Sequence, residues 1–219
     1  MSLLHRAGLW ASALAPLLAA TLAMAAEPPV VYVQPLQPAP SERALAEVVA
    51  ALQAFYPVQV RVLPAQPLPK AAWYAPRKRW RAEVLLDWLA AHMPVGATKV
   101  IGMTAADIST RKGAVADWGV LGLGTMDGKS CVISSFRTTR GVSEATARER
   151  LAKTAVHELG HNYDLDHCPN VGCLMEDARG KVATVDGESD LCSACRAKLA
   201  ARGVNVPAKP AVPWRAPSK

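Results

Sequence analysis

The sequence is 219 residues long, 51% hydrophobic, and carries 25 Lys and Arg against 18 Asp and Glu, a formal charge of +7. That length suits one domain with at most a small appendage, and the apolar content is enough for a packed core, which excludes a wholly disordered chain. The basic residues are scattered, so the charge reads as a solvated surface and not as a nucleic-acid footprint.

His5 and Arg6 precede an uncharged, almost purely apolar run from Leu9 to Ala25, which closes on Ala23-Met24-Ala25 before Glu27-Pro28-Pro29. A basic start, an apolar stretch and an A-x-A site mark a secretory signal peptide. The run is about 17 residues with Pro16 inside it, short of the roughly 20 that span a bilayer. Residues 1–25 are therefore expected to be removed, with export to the periplasm or beyond and no membrane insertion of the mature chain. Removal takes away only Arg6 and lowers the formal charge from +7 to +6.

Val30 to Val33 reads as a short buried strand. Ser41 is placed to cap an apolar-rich helix from Ala44 to Phe55. Val58, Val60 and Val62 alternate with polar residues, which is strand patterning. A Pro-rich loop runs from Pro64 to Pro76. Pro76 suits the first turn of a helix reaching about His92, with Trp80, Val84 and Trp88 at four-residue spacing as its inner stripe. On that reading the basic stretch Arg77-Lys78-Arg79-Trp80-Arg81 is one face of an amphipathic helix. Lys99 to Met103 is a third strand. Val120 to Thr125 and Cys131 to Ser135 are two more, joined by a turn at Asp127-Gly128. Ser143 and Glu144 start a long helix. Gly180 to Leu191 is polar and loop-like, and the Pro-rich basic tail at 207–219 is expected to be disordered. Strand and helix alternating in this order give an α/β layout.

The long helix carries His157-Glu158-Leu159-Gly160-His161 near its end. Two His at i and i+4 lie one turn apart on one face, so both imidazoles can reach one ion. Glu158 lies on the adjacent face, within reach of a water rather than of the ion. His167 follows six residues later, and it can join only if the helix ends and the chain doubles back. Three His with one open position is the donor set of a catalytic zinc, and Glu158 is then the general base. A purely structural zinc, or a zinc-stabilised domain that binds peptides without cutting them, has no need of Glu158. Hydrolysis of another acyl bond would use the same residues.

Of five Cys, four fall between 168 and 195: Cys168, Cys173, Cys192 and Cys195. Four thiols, two of them as C-x-x-C, fit a closed tetrahedral zinc site. In an exported protein they could instead form disulfides, Cys192 with Cys195 for example. Arg179, Lys181, Arg196 and Lys198 lie nearby in sequence and could offset four thiolates. Cys131 reads as a buried strand thiol.

The run from His157 to Cys195 resembles the archaemetzincins, whose pattern is H-E-x-x-H-x-x-G-x-x-H-C, four residues, C-x-M, about seventeen residues, and C-x-x-C. The resemblance implies a domain over residues 26–206 with a metzincin-like α/β (α+β) fold. That fold is a twisted mixed sheet, an active-site helix and a small Cys-rich, zinc-bound C-terminal subdomain. It implies two Zn2+ per chain, one catalytic on His157, His161 and His167, the other structural on the four Cys. It makes Met175 an apolar floor beneath the histidines, peptides or proteins the substrate, and the strand at Cys131 to Ser135 the edge a substrate joins. Two details of the motif depart from the family. Asp164 stands where the family has Gly, at a turn that favours positive φ, and the Met175 to Cys192 gap is one residue short.

Overall fold

The computed structural model describes residues 27–212 and Trp214. The segment read as a signal peptide, and the tail beyond Trp214, lie outside the described residues. The elements in chain order are β1 (Val30–Gln37), α1 (Glu42–Phe55), β2 (Gln59–Val62), β3 (Gln66–Pro67), β4 (Trp73–Tyr74), β5 (Arg79–Arg81) and α2 (Ala82–Ala91). They continue with β6 (Lys99–Thr104), β7 (Ile108–Lys112), β8 (Val115–Gly119), β9 (Gly122–Gly124), β10 (Ser130–Ser134), α3 (Glu144–Asn162), α4 (Thr184–Gly187) and α5 (Ser193–Ala201).

The main sheet has the order β2-β1-β6-β10-β9, with β3 continuing beside β1. All neighbours are parallel except β9, which turns back antiparallel to β10. Parallel strands need cover on both faces, and their side chains show it. Val31, Val33, Ile101, Met103 and Ile133 pack under α1 and α3 with Val48, Leu52, Phe55, Leu151 and Leu159. Val100 and Val132 face the other way, against Leu85, Leu86 and Leu89 of α2. Ser41 caps α1 as expected, its Oγ accepting from the Ala44 amide at 3.3 Å. The mixed α/β class and the helix-covered mixed sheet are as the sequence led us to expect.

Two expectations change. The helix read from Pro76 begins only at Ala82. Lys78 adopts a left-handed φ of 51°, which breaks a helix, and residues 79–81 form β5 in a second, four-stranded sheet, β4-β5-β7-β8. The basic stretch is held there by acids far away in sequence: Arg79 pairs with Asp107 at 2.9 Å and with Asp117 at 2.5 Å. Arg81 lies over the Tyr74 ring. The second correction concerns the edge of the main sheet. The strand at Cys131 is interior, flanked by β6 and β9, and the edge on that side is β9.

Three polypeptide segments then build the C-terminal part. Leu174, Leu191 and Leu199 dock on the α1–α3 core. Within the tail expected to be disordered, Trp214 is buried, stacks on Phe55 at 5.5 Å and donates to the Ser189 carbonyl at 3.1 Å.

Candidate active site and metal centres

α3 places the site. Ser143 caps its start, accepting from the Thr146 amide at 3.2 Å, and nineteen residues later the helix ends at Asn162. From Arg150 onward it is buried. His157 and His161 lie on one face, with ring centroids 4.7 Å apart and Nε2 atoms 3.1 Å apart. The Nδ1 of His157 lies 2.7 Å from the Leu174 carbonyl, and that of His161 lies 2.7 Å from the Leu165 carbonyl. A carbonyl can only accept, so each Nδ1 carries the proton and each Nε2 presents a lone pair. Burial, reinforced by the neighbouring imidazole, holds His157 neutral, with its pKa pushed down to about 3. Burial lowers His161 as well.

His167 arrives because the helix stops in a particular way. The Asp164 amide donates to the His161 carbonyl at 2.9 Å, and the Leu165 amide to the Gly160 carbonyl at 3.0 Å. This is a Schellman ending, which requires a left-handed residue at Asp164, and its φ is 64°. The Asp pays for that conformation through its carboxylate, which pairs with Arg202; Arg202 also holds Asp127 of the β9–β10 turn at 2.9 Å. The same turn delivers the Leu165 carbonyl that orients His161. One ligand atom from each of His157, His161 and His167 lies within 4.8 Å of the others. Three imidazoles, two with their tautomers fixed and all opening on a cleft, fit a zinc ion with one free position.

Glu158 is 6% exposed and faces β9. A Cβ placed on Gly122 would lie 2.6 Å from its Cγ and from Oε1, and one on Gly124 would lie 2.6 Å from its backbone oxygen. Burial raises its pKa to about 8, opposed by the Gly124 amide. A dication in the histidine site would favour the carboxylate. Met175 is fully buried, and a Cβ on Gly160 would meet its Sδ at 2.5 Å. Gly160 thus lets Met175 press against the helix between the two histidines. Gly122, Gly124 and Gly160 were not singled out from sequence, because their reason is the approach of a distant element. Gly122→Ala is expected to leave zinc content unchanged but to lower kcat at least about tenfold, since displacing a reacting group by about 1 Å can cost 10²-fold. Single-turnover kinetics on metal-quantified protein would check it.

The cleft in front of these groups has a volume of about 520 Å³. β9 forms one wall and the segment 176–182 the other, with Glu158 and the three histidines between them. Arg179 and Lys181 line this cleft, which removes them as counter-charges for the cysteines. Arg196 is also committed elsewhere, to Asp190 at 2.5 Å and the Leu191 carbonyl.

The four cysteines converge on the far side of the Met175 turn. Cys168 Sγ lies 3.6 Å from Cys192 Sγ, and Cys173 Sγ lies 3.7 Å from Cys195 Sγ. The four sulfurs are unbonded, and these separations are close to the edge of about 3.8 Å for a tetrahedron with 2.3 Å Zn–S bonds. Cys192 is the N-cap of α5, where the helix N-terminus favours thiolate, and Cys195 sits in the first turn. The close approach of the two sulfurs pulls Cys173 down to about 5 and holds Cys195 well above the usual thiol range. Cys131 is fully buried in β10, away from this cluster.

An α/β sheet with its antiparallel edge strand on a cleft, above a helix bearing HExxH and a third His beyond it, defines a zinc metallopeptidase. Comparison with known proteins carries this further. The profile of peptidase family M54 matches residues 52–201, and the chain belongs to that family. It is 34% identical over 171 residues to the archaemetzincin of Archaeoglobus fulgidus, covering 77% of this chain and 98% of that one. It is 33% identical over 162 residues to the archaemetzincin of Haloquadratum walsbyi, covering 70% and 90%. The crystal structure of the Archaeoglobus fulgidus protein, complexed with malonate, superposes with a TM-score of 0.65 at 30% identity over 77% of this chain and 99% of that one. The Methanopyrus kandleri archaemetzincin shares the fold, with a TM-score of 0.67 at 23% identity over 80% and 94%.

Proposed function

We propose that this chain hydrolyses peptide bonds outside the cytoplasm, with zinc on His157, His161 and His167 and with Glu158 as general base. The observation that carries the reading is the approach of three imidazoles to one point beside a buried carboxylate that opens on the same cleft. Zinc, when bound there, supplies the Lewis acidity that polarises a scissile carbonyl and acidifies a water. Glu158 takes the proton of the attacking water on a carboxylate oxygen and can return it to the leaving amine. β9 offers its unpaired edge to an extended peptide, and glycines at 122 and 124 keep that wall clear of Glu158. Met175 supports the histidines from below. Cys168, Cys173, Cys192 and Cys195 hold a second, structural zinc. Asp164, which stands where the family has Gly, takes the left-handed conformation the turn needs. The A-x-A segment supports export.

The test is metal and thiol stoichiometry on the mature chain, paired with a peptide library. We expect about two zinc per chain, four thiols protected until the metal is removed, and turnover that chelation abolishes and zinc restores. One zinc with disulfides would remove the cysteine centre and keep the catalytic one. Zinc-independent turnover, or none with zinc bound, would overturn the peptidase mechanism.

A further inference from the structure

The cleft contains a second buried carboxyl that hydrolysis does not use. Glu188 is 2% exposed, yet it lines the cleft. It immediately follows α4, which is tied to α3 one to two turns ahead of His157. Arg150 pairs with Asp186 at 2.7 Å, and Lys153 Nζ donates to the Val185 carbonyl at 3.2 Å. Thr154, Val182 and Val185 line the cleft as well, giving it apolar walls here.

Among the described residues the Glu188 carboxyl makes no hydrogen bond and no ion pair. Lys153, the cation whose charge acts on it, is engaged by Glu149 at 2.7 Å. Other cleft acids differ: Glu176 accepts from the Gly172 amide at 2.7 Å, Asp177 accepts from the Arg179 amide at 2.8 Å, and Asp166 is exposed to solvent. Burial raises the Glu188 pKa to about 8, so an empty cleft disfavours its charge. A buried carboxylate without a partner is costly, and a cation delivered to it removes that cost. Of the cleft cations, Arg111, Lys112, Arg179 and Lys181 are exposed, where ion pairing is worth little, and Arg137 is engaged by Asp107 at 2.8 Å.

We propose that Glu188 is the floor of a substrate subsite that selects a Lys or Arg side chain close to the scissile bond. The apolar walls take the methylene stem and the carboxylate takes the charged end. This rests on the peptidase reading, so the test must separate the two. Peptides differing only in Lys, Arg, Met or Glu at each position around the cut would be compared in two assays. One is hydrolysis by the full mature chain with zinc bound. The other is equilibrium binding to its zinc-loaded Glu158→Gln variant.

At one position Lys or Arg is expected to exceed Met by about tenfold or more in both assays, the size of a charge-assisted hydrogen bond. Glu188→Gln is expected to bring that ratio near one, and Glu188→Lys to turn the preference towards Glu. Equal binding and cutting of Lys and Met peptides by the unmutated chain would overturn the subsite, whatever the variants do. So would a preference unchanged in Glu188→Gln, or one that vanishes on N-terminal acetylation and ignores side chains. Binding with the Lys or Arg preference but without cleavage would overturn the hydrolytic reading and leave the subsite standing.

Discussion

Glu158→Gln is expected to abolish peptide hydrolysis, lowering kcat/KM by about 10²–10⁴-fold, the usual worth of a general base, with zinc still bound. Glutamine keeps the shape of the side chain between α3 and β9, so Gly122 and Gly124 still accommodate it. It lacks the charge that burial opposes, so the fold is expected to hold. What it cannot do is take a proton from the attacking water. Steady-state kinetics with metal analysis decides the matter: retained turnover with full zinc would remove Glu158 from its role. Lost turnover with lost zinc would make its role structural.

The second large effect is expected at the cysteine cluster. Cys195→Ser should reduce zinc from about two to about one per chain. It should destabilise the fold by about 4 kcal/mol or more, in the range that follows loss of a structural metal, or about 8–16 °C in Tm for a domain of this size. The size follows from what the cluster joins. Cys168 directly follows His167, its amide donates to the Met175 carbonyl at 2.6 Å, and Cys173 bridges to Asp190 ahead of α5. Without the metal, three segments lose their common anchor and the three remaining thiols are left crowded at short range. Activity should fall with it, because His167 and Met175 share that backbone. Unchanged zinc and unchanged melting would show that the sulfurs hold no ion.

The placement of the candidate site was legible because it depends on spacing along one helix and on residue types that have few other uses. His157, Glu158 and His161 needed only the helical period, and Ser41 and Ser143 announced their helices by local capping. The failures share a different cause. Arg77 to Arg81 looked helical because Trp80, Val84 and Trp88 keep helical spacing, while Asp107 and Asp117, which draw Arg79 into a strand, lie 28 and 38 residues on. The edge was misplaced for a similar reason. Cys131 to Ser135 is richly apolar, as befits an interior strand, whereas β9 is glycine-rich and weak in strand propensity because Glu158 must fit against it. Glu188 sat in a polar stretch with nothing local to show that α4 would turn it inward. Trp214 lay in a tail whose composition spoke for disorder, and its burial depends on Phe55 and Ser189, both far away in sequence.

The pairing of Asp164 with Arg202 has one further consequence. A glycine at that turn would reach the left-handed region with no help and would be indifferent to ions in solution. With aspartate, the unfolded chain has fewer conformations to lose, but the turn relies on a contact between two half-exposed charges. Going from 0.1 M to 1 M salt shortens the screening length from about 10 Å to about 3 Å. The segment that brings His167 to its partners, and the Leu165 carbonyl that aims His161, is thereby made sensitive to ionic strength in a way that a glycine hinge is not.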